Sequence, residues 1–438
     1  MRALFETRGF GGALPSAVPL AIGAALLAAV LHGAHLVYAS SAHGCAPWSL
    51  ECPEDVALWS AGDYGTYRNV ARAIRARGLG DASYLLRTPG YPLLLVAAEE
   101  VTGSPNGARW LGPLAAALAA AAIATLTGWI SGSAGAAALS VALFVFWWSA
   151  YQLSAALQTD GLHAFGSVVA VALTMAWRVR GRVGLAVLAG LAWMLVQSLR
   201  PTFFAVALLL PLIVFVPAAG RRRHAIAGAL LASTLIVPAL VTAANWQRHG
   251  VAVPSLIATV NLRCYAVPRL EEELGLGVFK PRRERCLERF RGMDPAERVR
   301  IEREEASAFF AEHPFAFAAS IGGEIAEQLG EPLRMTATPT QVRHYPDWMT
   351  TGSAVLFAFW LLAAAATLWI FTRQPWLGLF LVGWFALVML PASTAHFTGG
   401  RLRFPLDLLA IPVVAAALTE VAGWLRARYL EPHRARKS

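Results

Sequence analysis

Roughly ten stretches of about 16 to 25 mostly apolar residues recur along the chain, at 17–39, 107–130, 135–157, 161–177, 183–199, 202–219, 225–244, 352–371, 375–391 and 405–425. A helix rises about 1.5 Å per residue, so most are long enough to cross about 30 Å of hydrocarbon. Backbone amides and carbonyls find no water inside a bilayer, and segments of this kind satisfy them internally as helices. With 57% hydrophobic residues, 15% charged and a mean hydropathy of +0.52, the chain is expected to be an all-α polytopic membrane protein of about ten transmembrane helices.

Basic residues set the expected orientation, because cytoplasmic loops collect Arg and Lys. Counting spans alternately puts the turns at Arg178, Arg180 and Arg182, at Arg221, Arg222 and Arg223, and at Arg373, together with the basic tail, on the side of Arg2 and Arg8. Both termini are then cytoplasmic. The short apolar run 89–101 ends in Glu99-Glu100 and is left out of the count, as a helix lying on or dipping into the membrane. The net charge of +10 is accounted for by these turns and the tail, which anionic headgroups attract; nucleic acid is not required. The run 17–39 reads as an uncleaved anchor and not as a signal peptide.

The cysteines fall in segments the charge count places outside: Cys45 and Cys52 in the first loop, Cys264 and Cys286 in a long late one. Disulfides belong to oxidising compartments. Of the three pairings, Cys45 with Cys52 and Cys264 with Cys286 is the natural one; the alternative is free thiols.

The chain therefore divides into a membrane module over 1–248 with a first external loop at 40–106, an extracytoplasmic loop region at 249–349, and C-terminal spans with a basic tail at 350–438. In the first loop, Tyr64, Tyr67, Val70, Ala71 and Ile74 form one helical stripe with Arg68, Arg72, Arg75 and Arg77 around it, as in an interfacial amphipathic helix. In the second, Asp294-Pro295-Ala296-Glu297 has the pattern of a capping box. His313-Pro314 ends that helix, and Ala318, Ile321, Ile325 and Leu329 stripe the next, making this loop mostly helical.

Several motifs follow one another in order. Asp63-Tyr64-Gly65-Thr66-Tyr67 and Arg87-Thr88-Pro89-Gly90-Tyr91-Pro92 lie in the first loop, and Thr159-Asp160 at an outer helix end. Arg200-Pro201-Thr202, Asn245-Trp246-Gln247-Arg248 and Gly400-Arg401-Leu402-Arg403-Phe404-Pro405 come later. In this order and sidedness the chain resembles the GT-C superfamily of membrane glycosyltransferases, especially bacterial members similar to protein mannosyltransferases and lipid A aminoarabinose transferases. The resemblance implies transfer of a sugar, with inversion, from a polyprenyl-phosphate donor to a glycan, lipid or protein acceptor outside the cytoplasmic membrane of a bacterium. It implies that Asp63 is the catalytic carboxylate and that Asp160 helps organise the site. Here Asp63 is followed by Tyr64, where many relatives carry a second acidic residue.

The residues read chemically agree with that expectation. A carboxylate within reach of an acceptor hydroxyl takes its proton as it attacks the anomeric carbon; the alternative for Asp63, as for Asp160, is a helix cap. The leaving lipid phosphate needs cations, and Arg200, Arg248, Arg401, Arg403 and Arg87, with Tyr64 and Tyr67, are the candidate donor-binding residues; the alternative is that the arginines reach ordinary headgroups. No cofactor is required, and Asp63, Asp160 and His163 are the set that would hold an optional divalent cation. The rival classes are a lipid-linked sugar transporter or flippase and a non-catalytic envelope assembly protein. Ionisable groups are scarce at the span centres, which favours chemistry at one membrane face over passage.

Overall fold

The structure is a computed structural model of the 438-residue chain, and it describes residues 14–42, 64–79, 83–200, 204, 208–211, 221–330, 353–394 and 402–430. Helices dominate and no strand occurs among the described residues. In chain order these are α1 (Leu14–Ala42), α2 (Tyr64–Arg77), α3 (Gly90–Thr102), a 3-10 turn (Pro105–Trp110), α4 (Leu111–Ser131), α5 (Ala134–Val145), α6 (Trp148–Ala155), α7 (Thr159–Arg180), α8 (Val183–Leu199) and α9 (Arg221–His249). After them come α10 (Ile257–Asn261), α11 (Val267–Glu273), α12 (Phe279–Arg289), α13 (Pro295–Glu312), α14 (Pro314–Gly330), α15 (Ser353–Arg373), α16 (Pro375–Thr394) and α17 (Phe404–Leu425).

Seven helices among the described residues are long and apolar enough to span a membrane, namely α1, α4, α7, α9, α15, α16 and α17, with slightly different limits at some ends. The expected count of about ten is not reached, for three separate reasons. The run 135–157 is broken into α5 and α6, bent by 61°, and counts as an eighth span only if the pair crosses as one. The run 183–199 forms α8, which stops at Arg200-Pro201 and has only 17 residues. The run 202–219 lies largely outside the described residues.

The bundle is organised on α4, which packs against α1, α5, α7 and α17. Its sequence explains this: Ala116, Ala119, Ala120, Ile123 and Ala124 are buried, and the small side chains let neighbouring backbones approach closely. Thr125 and Thr127 return their hydroxyls to the carbonyls of Ala121 and Ile123, so neither carries an unsatisfied donor into the bundle. On the other side of α7, Trp193 of α8 donates to Thr174 at 3.0 Å and packs against Trp384 of α16.

The region between α9 and α14 is a small helical unit with its own core of Val251, Leu256, Val260, Phe290 and Val299. The expected pair Cys264–Cys286 is disulfide-bonded, with Cα atoms 5.4 Å apart; Cys45 and Cys52 lie outside the described residues. Asp294 caps α13 as its sequence predicts, accepting from the amides of Ala296 and Glu297, and α13 ends at His313. On α14 the deepest residues are Glu324 and Gln328, with Ile325 and Leu329 beside them, while Ala318 of the expected stripe is exposed.

Candidate active site

Asp160 sits in the first turn of α7, where a carboxylate is favoured by the helix dipole. The turn itself is held tightly. A Cβ on Gly161 would stand 2.3 Å from the carbonyl oxygen of Leu153, so only glycine lets α7 begin directly against α6. Arg200 closes the end of α8, and its Nη1 donates to Asp160 Oδ1 at 2.5 Å; the Asp160 side chain is 4% exposed and that of Arg200 15%. His163 is buried one turn after Asp160, near enough to Arg200 to feel its charge.

The stripe predicted for the first loop builds the next wall. Tyr64, Tyr67, Ala71 and Ile74 of α2 are buried, and Arg72, Arg75 and Arg77 are exposed. Tyr67 meets Tyr91 of α3 edge to face with ring centres 5.1 Å apart, and its hydroxyl lies 3.4 Å from Thr159, next to Asp160. Arg87 places its guanidinium 5.1 Å over the Tyr67 ring and donates Nε to Thr66 at 3.1 Å. The 13-residue α3 is too short to span, matching the expectation for 89–101, and Arg75 of α2 pairs with its Glu99 at 2.5 Å. Gly90 explains how α3 reaches the site: a Cβ there would stand 2.1 Å from Ser198 Oγ at the end of α8.

Arg200 thus binds Asp160 directly, Tyr67 reaches the adjacent Thr159, and Tyr91 stands close enough to feel the Asp160 charge. Burial pushes the Tyr91 phenol well above its ordinary value, and the neighbouring Tyr64, Tyr67 and Asp160 reinforce it. Burial also raises the Tyr64 phenol, although Arg109 and Arg72 work against the shift. Both phenols therefore stay protonated at neutral pH.

Of the candidate residues read from the sequence, Tyr64, Tyr67, Arg87, Asp160, His163 and Arg200 come together. Arg248 is exposed at the end of α9, beside Tyr84. Arg403 is fully buried: Nε donates to Asp407 at 2.8 Å, Nη1 to the carbonyl of Gln328, and Trp147 donates to the same carboxylate at 3.2 Å. Asp63 and Arg401 lie outside the described residues, although Tyr64, the next residue after Asp63, opens α2. Among the described residues no group of three or more His, Cys, Asp or Glu is arranged to hold a metal ion, and the set Asp63, Asp160 and His163 extends beyond them. Sequence reasoning missed Arg109, 6% exposed and close to Tyr64; an arginine inside the apolar run 107–130 was the available signal.

No protein-family model and no curated protein matches the sequence. Among solved structures the chain is similar to the oligosaccharyltransferase AglB from the archaeon Archaeoglobus fulgidus, in complex with an inhibitory peptide and a dolichol-phosphate. Identity is 15% and the TM-score 0.51, over 94% of this chain and 51% of the archaeal one. A second structure of the A. fulgidus oligosaccharyltransferase, tethered to an acceptor peptide, gives a TM-score of 0.47 at 15% identity over 92% and 50% of the two chains. The chain thus spans about half the length of the archaeal enzyme. This likeness gives the chain the GT-C fold, which it shares with the matched part of the archaeal oligosaccharyltransferase.

Proposed function

We propose that the chain is a glycosyltransferase that moves a sugar from a polyprenyl-phosphate donor to an extracytoplasmic acceptor with inversion. The observation that carries the reading is the Asp160–Arg200 pair, held at the meeting point of α6, α7, α8, α2 and α3 and walled by Tyr67 and Tyr91. A neighbouring fold member has been captured with a dolichol-phosphate, which supports a lipid-phosphate leaving group here.

In this reading Asp63 takes the proton of the acceptor hydroxyl as it attacks the anomeric carbon, and the C–O bond to the lipid phosphate breaks in the same displacement. Arg200 and Arg87 receive the charge that grows on the departing phosphate, and Asp160 holds the Arg200 fork in place. Arg403, sealed against Asp407, is assigned to joining α14 and α17 and not to the donor. Arg401 and Arg248 remain donor-binding candidates. The basic turns at Arg180 and Arg182 lie at the far end of α7, which suits a site on the extracytoplasmic face of a bacterial inner membrane.

Two measurements test this. Purified protein in nanodiscs should transfer label from one of a panel of polyprenyl-phosphate sugars, and nuclear magnetic resonance of the product should show the anomeric configuration opposite to the donor's. A retained configuration, or no transfer from any donor by folded protein that binds polyprenyl phosphate, would overturn the proposal.

A further inference from the structure

A cleft of about 370 Å³ runs between the outer face of α2 and the helical unit after α9. Thr66 and Asn69 of α2, Ser83 and Arg87 of the segment before α3, and Phe290 and Arg298 of the helical unit line it. Its two walls are tied to each other. The amide of Leu256 donates to the carbonyl of Leu85 at 2.7 Å, and the Leu85 side chain packs on the core that holds Leu256 and Phe290. The cleft is therefore part of the fold. Arg87 connects it to the candidate active site, because its guanidinium lies over Tyr67, whose hydroxyl is beside Thr159 and Asp160.

The lining chemistry is selective. Each wall brings one guanidinium, and none of the lining residues is acidic. Glu302 lies behind Arg298 with no exposure, accepting from Arg298 Nε at 2.8 Å and from Thr259 at 2.7 Å. That leaves the two terminal amino groups of Arg298 without a hydrogen bond to any described residue. Such a fork matches a carboxylate or phosphate, while the hydroxyls of Thr66 and Ser83 and the amide of Asn69 suit sugar hydroxyls. The volume lies at the lower end of the range for small-molecule sites.

We infer that this cleft is the acceptor subsite and that it takes a glycan bearing a carboxylate or phosphate group. The inference rests on the glycosyltransferase reading for its use, and it is tested by binding alone, in nanodiscs of zwitterionic lipid without donor. The probes are a hexuronic-acid disaccharide, a phosphorylated disaccharide and their neutral counterpart. At least one acidic probe should bind ten or more times tighter than the neutral one, and the stronger of the two names the anionic group. Arg298→Gln should remove the preference. Arg298→Lys keeps a cation beside Glu302 and should weaken acidic binding several-fold at an unchanged thermal midpoint, which decides the matter if the glutamine variant does not fold. Equal binding of all probes, or an acid preference undiminished in a folded Arg298 variant, would overturn the inference. Sugar transfer without acid preference would sink the cleft and spare the enzyme; acid-selective binding without transfer would do the reverse.

Discussion

At the scale of single residues, the Asp160–Arg200 pair has one sealed partner and one partly open one. Removing one member of a buried pair typically costs about 3–5 kcal/mol, and the 15% exposure of Arg200 lets water recover part of that. Asp160→Asn should therefore lower stability by roughly 2 kcal/mol, read as a lower thermal midpoint in detergent, and should slow transfer more than Arg87→Lys does. Glu305 provides a separate pH test outside the membrane helices. Burial works to raise its pKa, but hydrogen bonds from Arg289 and Arg263 outweigh this and hold the carboxylate below its ordinary value. A depressed folded pKa means that the stabilisation is present above the unfolded value and lost as pH falls through the folded one. Limited proteolysis of the α9–α14 region should thus accelerate as pH drops below about 4.5, and Glu305→Gln should flatten that dependence. Arg403 shows how a contact can be overlooked in one dimension. Four positions before Asp407, it has helical spacing for an ion pair, yet its neighbours in the motif drew attention to phosphate instead.

At the scale of elements, close approach decides where the site forms. A methyl on Gly90 would also come within 2.6 Å of the Ser198 backbone, so a side-chain adjustment cannot relieve Gly90→Ala. That substitution should cost about 1–3 kcal/mol by overpacking and reduce transfer by shifting α3 and its Tyr91, whereas Gly65→Ala, with open space around it, should do neither. The α2 stripe was legible in advance because a 3.6-residue period of Tyr, Ala and Ile among arginines has few other solutions. The cap at Asp294 was legible for a similar reason, as its oxygen serves amides only two and three residues away. The break between α5 and α6 was not. Residues 135–157 are mostly apolar and carry no charge, and no proline marks the bend; Trp147, extended at the break, is bound to Asp407 more than two hundred residues later. A tertiary contact of that separation leaves no local trace.

At the scale of the whole molecule, apolar run length was sufficient to announce a helical membrane protein, because water-free surroundings leave the backbone few alternatives. Run length was a weaker guide to the number of spans, since a break or an early stop leaves hydropathy unchanged. The site likewise divides into legible and hidden parts. Polar motifs beside apolar runs pointed to Asp160, Arg200 and Tyr67, while the packing that brings them together depends on glycines at α3 and α7. Charged residues also gather at the two ends of α7, with the Asp160–Arg200 pair at one and Arg178 and Arg180 at the other. That polarity is what a surface enzyme needs and a transport pathway does not. The most direct test compares wild type with Asp63→Asn in one assay of label transfer from polyprenyl-phosphate sugars, at matched thermal midpoints. A carboxylate acting as general base is worth roughly 10²- to 10⁴-fold, so the variant should keep its affinity for polyprenyl phosphate and lose at least a hundredfold in rate. Equal rates in the two proteins would contradict the account, leaving Asp63 as a cap for α2 and the chemistry to some other group.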